Sequence, residues 1–129
     1  MEVALRAALV SWLAADTALS TQLNAITEEA PVRASLPWLA IAASASADYS
    51  TKTEVGREIR VAFELHCRAD QPGTAAPLAA AIEARITSLP HSQSGFRVVA
   101  LNFLRSRAEQ RPDNLRSILI EYRFRLIAN

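Results

Sequence analysis

The chain has 129 residues, half of them hydrophobic and 21% charged, which fits one globular domain around a single core. Its 14 basic and 13 acidic residues leave a net charge of +1, which excludes a global basic field for nucleic acid, and 6% aromatics are too few for base-stacking platforms. The single cysteine, Cys67, excludes an intramolecular disulfide and fits a cytoplasmic setting, and no apolar run approaches the roughly 20 residues that span a bilayer.

From Glu2 to about Ala15, Leu5, Leu9, Trp12 and Leu13 recur at helical spacing with Val3 or Ala4, and Arg6 interrupts what a signal peptide would keep apolar. Asp16 or Thr17 is placed to cap a second short helix reaching Leu23 or Asn24. Ile26 to Arg33 is a short extended piece, and Trp38 to Ala42 supplies a strand that begins after Pro37. The stretch Ser44 to Gly56 has small polar residues without period and predicts a long mobile hairpin tip.

Arg57 to Cys67 alternates strictly. Ile59, Val61, Phe63, Leu65 and Cys67 oppose Glu58, Arg60, Glu64 and His66. A Gln71-Pro72-Gly73 turn leads to a helix from Ala75 to Ser88, capped by Thr74, with Pro77 in its first turn and Pro90 ending it. Phe96 to Leu104 and Leu115 to Ile127 read as two further strands, joined by the polar connection Arg105–Asn114. In the last strand Tyr122, Phe124 and Leu126 oppose Glu121, Arg123 and Arg125. The fold class expected is α+β: an antiparallel sheet of about four strands, two main helices on one face, in the order α-β-β-α-β-β, forming one domain over residues 1–129.

Catalytic chemistry finds little to stand on. His66 and Cys67 are neighbours on a strand and point to opposite faces, so Cys67 reads as core filler and His66 as surface. His91 lies beside Ser92 and Ser94 in a loop without the buried acid or strained turn of a triad. Glu28 and Glu29 lack a metal-ligand spacing, and Gly56, Gly73 and Gly95 stand alone rather than in a phosphate loop. No enzyme activity, cofactor or metal is expected. Trp12 and Trp38 read as core anchors, Trp38 with the alternative of an interface. The mixed-sign rows are the other candidates, because charge complementarity fixes register and excludes wrong partners in an assembly of identical subunits. The interface residues expected are Trp38, Tyr49, Lys52, Arg57, Arg60, Glu64, Arg107, Arg111, Glu121, Arg123 and Arg125.

Four pieces in this order resemble the tail-terminator, or tail-completion, family of long-tailed phages and gene transfer agents. They are LRAALVSWLAAD from Leu5, LPWLAI from Leu36 to Ile41, GREIRVAFELHCRAD with its cysteine near the end, and the closing YRFRLIAN. The alanine-rich APLAAAIEARI lies between the last two, and Ala25–Ala34 lacks the glycine-bearing turn common at that place. The resemblance implies a structural virion protein, assembled in the bacterial cytoplasm, that forms a ring, commonly a hexamer, on the head-proximal end of the tail tube. Such a ring stops tube polymerisation and joins the tail to the head connector. The implied partners are further copies of the chain, the major tail tube protein and a connector or stopper protein, with no membrane and no specific nucleic acid. A head-completion or connector protein of the same particle, and a small ligand-binding α+β domain, are the alternatives.

Overall fold

The structure, a computed structural model, describes residues 1–31 and 33–129. Helix α1 (Glu2–Ala14) and the short α2 (Thr17–Gln22) precede strands β1 (Ile26–Thr27), β2 (Trp38–Asp48) and β3 (Gly56–Arg68). Helix α3 (Pro72–Thr87) then leads to β4 (Ser92–Gln93), β5 (Phe96–Arg111) and β6 (Leu115–Ala128). The strands form one six-stranded sheet in the order β1-β2-β3-β6-β5-β4. Every neighbouring pair is antiparallel except β1 and β2, which run parallel.

The centre of the sheet is the β3–β6 ladder. Ile59 lies opposite Phe124, Val61 opposite Tyr122, Phe63 opposite Ile120 and Leu65 opposite Ile118. All eight are buried, so one face of two long strands is committed to the core. Leu5, Leu9 and Leu13, four residues apart on α1, and Leu78, Ile82 and Ile86 on α3 bury their stripes against that face. The helices also tie to each other: Trp12 Nε1 donates to the Arg85 carbonyl at 2.8 Å, Arg85 Nε donates to the Trp12 carbonyl at 2.9 Å, and the Arg85 guanidinium stacks over the Trp12 ring. Asp16 caps α2 as expected, accepting from the N–H groups of Ala18 and Leu19 at 3.0 and 3.3 Å.

The architecture corrects the four-stranded antiparallel sheet with two helices. Among the described residues there are six strands, a parallel pair and three helices, in the order α-α-β-β-β-α-β-β-β. Two of the additional elements, β1 and β4, are only 2 residues long, too short to show a period. Both long loops also shrink. Strand β2 runs on through Asp48, leaving a turn over 49–55, and β5 runs on through Arg111, so the polar connection expected at Arg105–Asn114 is mostly strand. Asp113 and Asn114, at φ 63° and 59°, make the tight turn into β6. Helix α3 begins at Pro72 rather than after Thr74, its N-cap Gln71 makes no side-chain cap, and Pro77 falls inside it on the exposed side. Val32, within the extended piece expected at Ile26–Arg33, lies outside the described residues.

Gly56 closes the β2–β3 turn where two backbones converge. A Cβ there would lie 2.5 Å from the Tyr49 carbonyl oxygen and 2.9 Å from that of Leu126, and neither atom can swing aside. Gly56→Ala is therefore expected to destabilise the fold by about 1–3 kcal/mol. Urea denaturation of the two chains checks this, and an unchanged midpoint would contradict it.

Candidate functional site

The helix-free face of the sheet carries the remaining alternate residues, and the register sets them in rows. Trp38, His66, Ser117 and Glu109 form one row, and Ala40, Glu64, Leu119 and Arg107 the next. Ala43, Ala62, Glu121 and Arg105 follow, then Ala45, Arg60, Arg123 and Asn102, then Ala47, Glu58, Arg125 and Ala100. Of the residues expected at an interface, Trp38, Arg60, Glu64, Arg107, Arg111, Glu121, Arg123 and Arg125 share this face. Tyr49 joins its end, its ring 5.1 Å below the Arg125 guanidinium, while Lys52 is exposed in the 49–55 turn. Arg57 does not belong: it lies opposite Leu126, on the helix side, and reaches Ser46 Oγ at 3.4 Å.

Most of these charges neutralise one another. Arg125 Nε is 3.2 Å from Glu58, and Arg105 Nη2 is 3.0 Å from Glu121. Glu64 is the hub: its Oε1 accepts from Ser117 Oγ at 2.6 Å and lies 2.8 Å from His66 Nε2 and 3.0 Å from Arg111 Nη1. Burial alone would raise the Glu64 carboxyl, but the Ser117 hydroxyl, His66 and Arg111 outweigh it and hold the pKa below the ordinary carboxylate value. Trp38 stacks flat on His66, centroids 4.0 Å apart, so it is neither a core anchor nor a bare surface ring. His66 itself is buried, against the surface position expected of it.

One row is not neutralised. Arg60 and Arg123 are directly opposite across the two central strands, a like-charge pairing that costs stability. The nearest carboxylate to Arg60 is Glu58 at 4.0 Å. Arg123 donates to Asn102 Oδ1 at 3.2 Å, and its Nε is buried without a partner. Arg107 and Glu29 also lack ion pairs among the described residues. A groove of about 740 Å³ runs along β2 from Ala40 to Ser44, with Arg6, Glu28 and Glu29 on one wall and Glu64, His66 and Arg111 on the other.

Sequence reasoning missed Ser117 and Asn102, and weighed Glu29 only as a cation ligand. Glu64 and His66, two apart on one strand, were the available signal for the hub. Among the described residues no three His, Cys, Asp or Glu side chains converge on a metal site, and burial pushes the Cys67 thiol up, away from the reactive thiolate.

The family described as tail completion protein gp17 matches this chain over residues 7–127. The chain belongs to that family. A chain of the solved structure "Virion of native gene transfer agent (GTA) particle" superposes with a TM-score of 0.79 at 26% identity, covering 98% of this chain and 96% of that one. No curated protein matches. Family membership and this likeness make the chain a structural protein of a virion tail.

The lowered Glu64 pKa has a definite sign. Its contribution to stability is full above the unfolded value of 4.5 and is lost as pH falls through the folded one. Wild type is thus expected to exceed Glu64→Gln in stability at neutral pH, with the margin closing below pH 4.5. Denaturation midpoints across pH 3–7 check this, and a margin independent of pH would show that the ionised hub contributes nothing.

Proposed function

We propose that copies of this chain form a ring, a hexamer, on the head-proximal end of a finished tail tube. There the ring stops further addition of tube subunits and presents a surface to the head connector. The observation that supports this most is the near-complete mutual coverage with a gene transfer agent virion chain, together with the tail completion family match. The partners are further copies of the chain, the major tail tube protein and the connector or stopper protein. No catalytic step, cofactor or metal enters the role.

The helix-free face suits docking. Arg60 and Arg123 are held side by side at a cost to the isolated subunit, and Arg123 keeps an unused buried donor. A carboxylate from the tube or connector protein would remove both penalties, and charge-assisted bonds of this kind are the strong ones. A local inconsistency of this kind is what a binding surface leaves in the unbound subunit.

Loss of the chain is expected to give overlong tails and few tails joined to heads, counted by electron microscopy. Arg60→Gln combined with Arg123→Gln separates folding from function. The isolated subunit should be as stable as wild type or more so, because the repulsion is gone, while joined particles fall in number. Normal tail lengths and normal joining in the double variant would remove these arginines from the docking surface.

A further inference from the structure

We infer that neighbouring copies join edge to edge, the outer edge of β5 in one copy pairing with the outer edge of β2 in the next, so that the sheet continues from subunit to subunit. This rests on the ring reading and names its contact. Both edges are open. Strand β1 covers β2 only at Leu39 and Ala40, and β4 covers β5 only at Phe96 and Arg97. Among the described residues the rest of each strand has no strand on its outer side, which leaves a row of main-chain donors and acceptors to be paired.

Direction and height both match. Passing from β2 through β3 and β6 to β5, each step is antiparallel, so β2 and β5 run in opposite senses. Copies related by a modest rotation keep those senses, and the new pair is then antiparallel. The two edges lie at opposite ends of the sheet, so the contact is head-to-tail, the kind that generates rings. The bulges divide the open edge of β5 into two regular segments, Ala100–Phe103 and Arg105–Arg111, and the first of them matches β2. Register shifts fall between Val98 and Ala100 and between Phe103 and Arg105, leaving Ala100–Phe103 regular on β5. The shift between Ile41 and Ala43 leaves 43–48 regular on β2. Through the ladder, Ala100 stands level with Ala47 and Phe103 level with Ser44, so the two regular segments meet without sliding one copy along the other.

Side chains agree with this placement. Arg107 is level with Ala40, whose other neighbour Thr27 leads directly into Glu28 and Glu29. At that height β1 occupies the outer side of β2, so the neighbour's β5 passes outside β1, and its unpaired Arg107 comes against the segment that carries the unpaired Glu29, at the mouth of the groove along β2. On the helix side, Phe103 is 51% exposed and Val3 is 69% exposed, and Val3 shares a hollow with Ser46 of β2. Phe103 from the neighbour would cover Val3 in that hollow, which Glu2 and Arg57 also line.

The test uses particles assembled with variant chains in place of wild type. Ala45→Cys with Asn102→Cys places one thiol on each edge at the same height, and oxidation is expected to give covalent multimers on non-reducing gels, absent from either single variant. Arg107→Glu and Glu29→Lys should each lower the yield of joined particles by about tenfold or more, since like charges meet at every contact, and the two together should restore it. Circular dichroism of each purified variant separates this from misfolding, and the charge exchange decides if the cysteine pair does not fold. Joined particles in normal number with both single charge variants, and no covalent multimers, would overturn edge pairing while leaving the terminator reading intact. Wild-type tails that lack the chain at their head-proximal end would overturn both.

Discussion

The molecule depends on one ladder. All 13 residues of β3 pair with β6 in unbroken register, and because side chains alternate, that register decides both faces at once. One face is the core that both long helices cover, and the other is the charged surface. A slip of one residue would carry Arg60 and Arg123 under the helices and Phe63 and Phe124 into water, so core and surface cannot be altered separately. The core therefore specifies the pattern of charges as firmly as it specifies the fold.

Central placement also changes what those charges are worth. An isolated surface ion pair contributes roughly 0–1 kcal/mol, because water competes for both partners. Here the Glu58 and Glu64 side chains are only 23% and 19% exposed, flanked by strands on both sides, and they hold fixed partners. Sheet geometry rather than side-chain search sets these pairs. The same geometry fixes the Arg60 and Arg123 backbones opposite each other, so the two like charges remain neighbours. Rows of paired charges thus surround one row in which Arg60 has its nearest carboxylate at 4.0 Å and Arg123 bonds only the neutral Asn102.

What the sequence disclosed follows from contrast between neighbouring positions. Strands β3 and β6, and the stripes of α1 and α3, pack against a core on one side only, so greasy and charged residues alternate at the period of the element. The second half of β5 faces no helix, and Ser106, Ala108 and Gln110 on its inner side are as exposed as Arg105, Arg107 and Glu109 on its outer side. With no core to face, it alternated charged residues with small or polar ones instead of with apolar ones, and so read as a loop. The Ala-Ser repeat at the end of β2 failed for a related reason, since small residues serve either face. Arg57 was assigned by charge rather than by parity, and parity places it with Ile59. The Trp38–His66 stack and the Ser117–Glu64 bond join residues of different strands, and only the register brings them together.

The two shortest elements have a consequence out of proportion to their length. A long open strand edge is an aggregation hazard, and this sheet has one at each end. Strand β1 stops one end of β2, β4 stops the far end of β5, and bulges interrupt the remainder. Indiscriminate pairing is thereby limited, because each open edge is broken into separate regular segments. A fully covered edge would have prevented association altogether, and a bare one would have allowed it anywhere. An edge limited in this way suits the proposed head-to-tail contact, and the rotation between copies then decides between a closed ring and an open filament.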